Sequence, residues 1–233
     1  SSSNVSIPET ILDKTVSGID SFAFSKNTTI TSVTMPNTVT KVGDSAFADA
    51  TNLLSAKLSE NCTDVGICLF QGCTSLKSVD LNSKITLINA QMFYKCSSIE
   101  SIVIPDTVNK IGNYAFSECS SLKSVYIPSS VTEISRSAFR KTASVTIKGS
   151  YGSYAEEYAK ANNIPFEGIS AYDVGDVNMD GGINILDATL VQKYVVGIVE
   201  LSAEQKHLAD YNNDGDITVV DATGIQKFIV HLN

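Results

Sequence analysis

The sequence predicts two domains of different class. Residues 1–169 read as an α/β solenoid of stacked 23-residue coils with parallel strands, and residues 170–233 as a small all-α module built on two acidic loops. Three observations carry that prediction. Six phenylalanines, Phe24, Phe47, Phe70, Phe93, Phe116 and Phe139, recur at one constant interval. Residues 1–169 hold 15 acids against 14 bases, whereas residues 170–233 hold 10 against 3. A 12-residue pattern of Asp and Asn occurs twice near the C-terminus, starting once at Asp176 and again at Asp210.

Each coil of the repeat has its own apolar positions. Ile30, Leu53, Leu76, Ile99, Leu122 and Val145 follow the phenylalanines in one phase, and Met35, Leu58, Leu81, Ile104 and Ile127 in a second. Val39, Cys62, Ile85, Val108 and Val131 keep a third phase, and Val42, Val65, Ile88, Ile111 and Ile134 a fourth. A coil this short buries such positions only against its neighbours, so the coils must stack. Leu122–Ile127 alternates like a short strand, and Pro36, Pro105 and Pro128 end three such strands. An Ile-x-x-x-Ala-Phe stretch returns the chain on the other side. Both ends break the period. The step from Ile7-Pro8 to Met35-Pro36 is five positions too long, and that from Ile127 to Ile147 is three too short. SYAEEYAKAN (153–162) then reads as a closing helix, with Ser153 as N-cap and Glu156 completing a capping box.

The motif AFSECSSLKSVYIPSSVTEIS (115–135) resembles the BspA-type leucine-rich repeats of bacterial surface proteins, and SYAEEYAKANNIPF resembles the segment closing such arrays. The resemblance implies a leucine-rich-repeat solenoid and leaves its ligand unnamed. Along the strands, Ser32, Ser55, Ser78, Ser101 and Ser124 form one exposed row, and Thr34, Lys57, Asp80, Val103 and Tyr126 a chemically mixed one. The mixed row suits either a binding face or a neutral surface. The five cysteines all lie in this domain, with none in a C-x-x-C pair. Cys73, Cys96 and Cys119 share one repeat position and read as a ladder of buried free thiols. The spacing of stacked strands also permits a disulfide.

The two acidic segments are DVNMDGGINILD (176–187) and DYNNDGDITVVD (210–221). Oxygen ligands fall at loop positions 1, 3 and 5, namely Asp176, Asn178 and Asp180, then Asp210, Asn212 and Asp214. Gly181 and Gly215 make the sharp turn. Gly182 and Asp216 offer backbone carbonyls, Asn184 and Thr218 act through water, and Asp187 and Asp221 close each loop. Calcium is a hard cation that takes six to eight oxygens, and this donor set matches it. Asx-rich turns would account for one such loop, but not for two in register. Two calcium ions of structural role are the expectation, since crowded carboxylates repel until a cation is bound.

After each loop one helix recurs, DATLVQKYVV (187–196) and DATGIQKFIV (221–230). Two calcium loops of the EF-hand kind, each with a single F-type helix, resemble a type I dockerin. The resemblance implies a pseudo-twofold module that docks onto a cohesin domain of a scaffoldin in a cellulosome. Many family members carry Ser-Thr at loop positions 10 and 11, where this chain has Ile185-Leu186 and Val219-Val220. The expected cohesin contacts are Ile185, Leu186, Leu190 and Lys193 on the first helix, and Val219, Val220, Gly224 and Lys227 on the second. Ala188, Val191 and Val195 fall on the face read as core. The alternative is that Leu186 and Val220 are themselves core residues.

The net charge of −8 argues against a nucleic-acid partner, and no apolar run approaches the roughly 20 residues needed to span a bilayer. No signal peptide is visible, and Ser1-Ser2-Ser3 fits a processed start. The two histidines, His207 and His231, stand apart from the solenoid, so no histidine-dependent nucleophile can form there. The reading is a secreted, non-catalytic cellulosome component whose solenoid binds a protein, polysaccharide or cell surface. The alternatives are a surface adhesin or regulatory binder anchored through the dockerin, and then a polysaccharide-degrading enzyme. The short segment Phe166–Asp173, with Gly168, Ser170 and Ala171, reads as a pliable linker.

Overall fold

The computed structural model describes residues 3–230, so His231 and the first two serines lie outside the described residues. The chain forms two compact units. One runs through Gly149 and resumes over Ser153–Glu167; the other takes Ser150–Gly152 and continues from Gly168.

The first unit is a parallel-strand solenoid. Short strands at Ile30–Thr34, Ser55–Lys57 and Ser78–Asp80 pair in parallel, one repeat apart in register, Ser32 beside Ser55 beside Ser78. Ser101–Val103 and Ser124–Tyr126 repeat the arrangement. The expected serine row is therefore paired in two stretches, Ser32 to Ser78 and Ser101 to Ser124. A second set of two-residue strands, among them Lys41–Val42, Asp64–Val65, Lys110–Ile111 and Glu133–Ile134, makes a second parallel ladder absent from the one-strand-per-coil reading.

The return segments are turns. Two positions before the phenylalanine, Ser45, Cys68, Gln91 and Tyr114 are left-handed; two positions after it, Asp49, Lys95, Glu118 and Lys141 are too, with φ between 54° and 61°. Each such non-glycine residue costs about 1–2 kcal/mol. Each coil buries several aliphatic side chains beside its phenylalanine, each worth about 1.5–3 kcal/mol, so the stack, not local propensity, holds the turn. The rings stack with centroids 5.2–5.8 Å apart from Phe24 to Phe139. Tyr158, on helix α1 (Tyr154–Ala161), closes the column at 6.1 Å in a tilted contact. Ser153 caps α1 by accepting the Glu156 N–H.

Both irregular ends have a local cause. The extra length near the start is a β-hairpin, Thr10–Ile11 against Lys14–Thr15. Leu12 and Asp13 have φ of 50° and 60°, the double left-handed turn a two-residue hairpin prefers. At the other end the strand Thr146–Ser150 sets Ile147 beside Val125. Ile147 is thus the counterpart of Val125, not of Ile127, and the last coil is one position short rather than three.

The thiol ladder is free and buried. Cys73, Cys96 and Cys119 donate to the carbonyls of Phe47, Phe70 and Phe93 at 3.0, 3.1 and 3.0 Å, and no disulfide forms among the described residues. Thr142 occupies the next step and donates the same bond to Phe116 at 2.6 Å. Burial pushes the Cys73 and Cys119 thiols up to about 12, and Cys96, between them, is raised as well by burial.

The ladders are interrupted on either side of one coil. Among the described residues, Ser78–Asp80 does not pair with Ser101–Val103, nor Asp64–Val65 with Leu87–Ile88. The phenylalanine side stays joined there, with the Phe70 N–H donating to Met92 at 2.9 Å. At the second gap, Asn89 stands where other coils have Gly43, Gly66 and Gly112. A Cβ at those glycines would come within 2.4–2.8 Å of the preceding coil's backbone. Asn89 has such a Cβ, and its side-chain amide, rather than a strand, bonds the Val65 carbonyl. Ser135 also carries a Cβ at this position and keeps its ladder, donating its N–H to Ile111 at 2.9 Å, so the Cβ is a contributing cause only.

The second unit holds helices α2 (Ile185–Val195), α3 (Ala203–Ala209) and α4 (Val219–Ile229). Its core is Val177, Ala188, Val191, Leu201, Ala209, Ala222 and Ile225, with Ile183 and Ile217 packed on its edge. Ala188 and Val191 are buried as the periodicity predicts, but Val195 is 36% exposed, because α2 ends there and the last turn leaves the core.

Candidate cation loops and docking face

The two acidic loops share most of their hydrogen bonds and differ at position 9, where Asn184 donates to the Gly182 carbonyl at 2.8 Å and Thr218 to the Asp221 carboxylate at 3.3 Å. In the first, the Asp176 carboxylate accepts the N–H groups of Asp180 and Gly181 at 3.1 and 2.9 Å. In the second, Asp210 accepts those of Asp214 and Gly215 at 3.0 and 2.9 Å. Asn178 and Asn212 each donate their amide to Asp180 and Asp214 at 2.8 Å. Gly181 and Gly215 both have φ of 92°, and a Cβ there would meet nothing within 4 Å. Glycine is thus present for its backbone angle, not for space. Met179 and Asn213 are also left-handed, at 61° and 56°, a feature nothing in the motif announces.

The closing aspartates do two jobs. Asp187 accepts from Asn178 at 2.9 Å and from Asn184 at 2.8 Å, tying loop start to helix start. Asp221 does the same with Asn212 and Thr218 at 3.2 and 2.8 Å. Asn184 and Thr218, expected to act on an ion through water, are the N-caps of α2 and α4, each in a reciprocal capping box with the closing aspartate. Gly182 and Asp216 donate their N–H groups to Asp180 and Asp214 at 3.0 and 2.9 Å, so the carboxylate at position 5 also braces the turn.

Asp187 and Asp221 are fully buried and Asp176 is 2% exposed. Every ion pair among the described residues lies between Lys41 and Glu167, so none reaches a loop carboxylate. Buried carboxylates without a cationic side chain are costly and call for a cation from outside. The donor set, three carboxylates with amide and carbonyl oxygens and no nitrogen or sulfur ligand, fits a hard divalent ion. Among the described residues no three His, Cys, Asp or Glu side chains are gathered closely enough to hold a metal ion.

The first turns of α2 and α4 are apolar and exposed. Ile185 and Leu186 are 55% and 60% exposed, Val219 and Val220 58% and 59%. Leu186 and Val220 are therefore not core residues. Lys193 and Lys227 are exposed in the last turns of the same helices. The halves then diverge. Leu190 is half-buried against the core, whereas its counterpart Gly224 lies beneath Tyr211, whose ring a Cβ would meet at 2.7 Å. Val196, Ile198, Phe228 and Val230 are also exposed at the helix ends. Sequence reasoning left them out, although YVVGIV and FIV break the helical period that would bury them.

No helix among the described residues is long and apolar enough to cross a membrane. A family model for the BspA type leucine-rich repeat region matches six copies over residues 2–102 and 49–159. A model for the dockerin type I domain matches residues 174–230, from which calcium binding and protein docking follow. No curated protein matches the chain. Among solved structures, a leucine-rich repeat protein of T. pallidum is 21% identical with a TM-score of 0.54, covering 72% of this chain and 86% of its own. A leucine-rich cell surface protein of Faecalibacterium prausnitzii is 25% identical with a TM-score of 0.51, over 63% of this chain and 48% of its own. The phenylalanine column and the duplicated loops thus have one account: the chain belongs to the BspA type leucine-rich repeat family and carries a type I dockerin domain at residues 174–230.

Proposed function

We propose that this protein is a secreted, non-catalytic cellulosome component, divided at about residue 170 into a ligand-binding solenoid and a docking domain. The docking half holds two calcium ions. Asp176, Asn178, Asp180, the Gly182 carbonyl, Asn184 and Asp187 hold one, and Asp210, Asn212, Asp214, the Asp216 carbonyl, Thr218 and Asp221 the other. Once bound, the ions neutralise the loop carboxylates and so fix the first turns of α2 and α4. Those turns present Ile185-Leu186 and Val219-Val220, with Lys193 and Lys227, to a cohesin domain of a scaffoldin. The observation that carries this reading is the pairing of two similarly bonded loops with exposed apolar first turns. Apolar side chains at such positions make a desolvating contact in place of a hydroxyl-based one.

A panel of cohesins, titrated with the full chain in calcium and in excess chelator, tests the proposal. Binding in calcium to at least one cohesin, lost on chelation, is the expected result. Ile185→Asn with Leu186→Asn should weaken that binding by about tenfold or more, the cost of a central apolar contact. Binding unchanged by full calcium removal would sink the docking mechanism. A second reading, an adhesin held at a surface through the dockerin, draws on the likeness to the F. prausnitzii cell surface protein. Whole-cell binding by the solenoid, with no glycan bound on an array, favours that reading.

A further inference from the structure

The strand face of the solenoid carries ion pairs along its mixed row, such as Lys57–Asp80 at 3.5 Å. The turn face is different. The residue just after the phenylalanine runs Tyr94, Ser117, Arg140 in successive coils. Ser117 is 2% exposed and donates its hydroxyl to the Arg140 carbonyl at 2.7 Å, so this row dips between two long side chains. The dip is a cavity of about 310 Å³ walled by Tyr94, Tyr114, Gln91, Glu118, Lys141 and Arg140. Neighbouring coils stack about 4.8 Å apart, so Tyr94 and Arg140, two coils apart, stand roughly 10 Å from each other. Between them the chain presents only the small, buried Ser117, so the hollow opens above its hydroxyl.

The charges around the cavity are settled except for one. Glu118 is held by Lys141 at 3.0 Å and Lys95 at 4.0 Å, and accepts from the Tyr94 hydroxyl at 3.4 Å. Lys95 also lies 5.1 Å over the Tyr94 ring, which fixes that ring as a wall. Arg140 forms no ion pair among the described residues. The chain has two arginines, Arg136 and Arg140, and both border an adjoining cavity of about 460 Å³ with Asn162 and Asn163 on its rim. Arg140 thus stands between two adjacent hollows, in a positive patch on a chain of net charge −8.

We propose that these two hollows bind an acidic carbohydrate, with a pyranose ring against Tyr94 and Tyr114 and its carboxylate on the Arg140 guanidinium. The planar fork of arginine matches a carboxylate with two parallel hydrogen bonds, which a lysine cannot supply. Tyrosine offers a flat apolar face with a polar rim, as a sugar ring requires. The second hollow, with Arg136 and the two asparagines, takes the next sugar of an oligomer. This site rests on the reading of the solenoid as the ligand-binding half; it is independent of docking, and loss of cohesin binding leaves it untouched.

The test is calorimetric titration of the full calcium-loaded chain with trigalacturonate, sialyllactose, neutral galactotriose and triglutamate. Trigalacturonate or sialyllactose binding, with the neutral trisaccharide and the peptide silent, is the expected pattern, and the tighter of the two names the source of the acidic sugar. Arg140→Gln should weaken it about tenfold, as loss of a charge-assisted pair does. Its melting temperature should stay unchanged, because the Arg140 side chain supports no ion pair among the described residues. The same titration of Tyr94→Leu should also lose affinity. Calcium-loop binding of the uronate would be equal in wild type and Arg140→Gln, so equal affinities overturn the site. Triglutamate binding as tightly as the sugars overturns the carbohydrate assignment, and silence of all four probes overturns the proposal.

Discussion

The two halves of this chain reach a folded state by opposite routes. The solenoid buries one continuous core from Ile19 to Ala159, with the six rings from Phe24 to Phe139 each stacked on the next. The dockerin buries eight apolar side chains and, beside them, three aspartates. One region is stabilised by apolar neighbours that its own sequence supplies. The other packs around carboxylates that accept backbone N–H bonds and meet no cationic side chain among the described residues. A module of about 60 residues sits where a hydrophobic core alone is marginal. The repeat supplies its own core, while the docking domain is of a type that binds calcium.

The sharpest way to break this comparison is to remove the ion. Excess chelator should abolish the thermal transition of residues 174–230 and leave that of the solenoid in place, read by calorimetry as one lost peak. At free calcium a thousandfold above its Kd, the ion contributes about 4 kcal/mol, comparable to the whole stability of a small domain. A single transition that shifts as a unit would show that the halves are not energetically separate.

A second experiment acts on the other half. Phe93→Ala, in the middle of the column, should cost the solenoid about 3–5 kcal/mol by chemical denaturation. Phe24→Ala, at its half-buried start, should cost about 1–2 kcal/mol, and neither should alter the calcium-dependent transition. Equal costs at the two positions would show that the column is not a cooperative stack.

The smallest effect sharpens the contrast through pH. The thiols of Cys73 and Cys119 are pushed up to about 12 by burial, from an ordinary value of 9.0. The unfolded chain therefore loses these protons first as pH rises. Their contribution is complete below about 9, and falls between about 9 and about 12. At pH 10 the loss is about 1 kcal/mol per thiol. Because the dockerin has no cysteine, only the solenoid transition should move by this route. Replacing Cys73, Cys96 and Cys119 with threonine, which Thr142 shows the ladder accepts, should flatten the fall. An unflattened profile would assign it to other groups.

Much of the solenoid was legible because its period is so regular. Phenylalanines at one spacing can all be buried only in a column, and the serine row follows from the same register. The second ladder of two-residue strands was not legible, since so short a strand carries too little alternation to announce itself. The left-handed pairs around each phenylalanine escaped for another reason: Gln91, Lys95, Tyr114 and Glu118 are not residues that favour φ > 0, and the stacking imposes it. The interruption beside Asn89 could have been suspected from the missing glycine, but Ser135 shows that the residue type alone does not decide it. In the dockerin the motif named the loop residues, while the capping boxes revealed that Asn184 and Thr218 are also helix starts. The shape of the docking face, with Tyr211 lying over Gly224, needed coordinates.

What the amino-acid order determined by itself is what repeats or matches locally: the coil length, the inward positions, and the oxygen-rich loops with their glycines. These follow from short-range sterics and from the need to hide apolar groups, so a linear pattern is enough to state them. What only the tertiary structure decided is everything that depends on two coils or two helices meeting. That includes which ladder opens, which thiol finds a carbonyl, and how Tyr94, Ser117 and Arg140, each a full repeat from the next, come to wall one cavity. The physical reason is that close packing acts between surfaces, and a surface exists only after the chain has folded back upon itself.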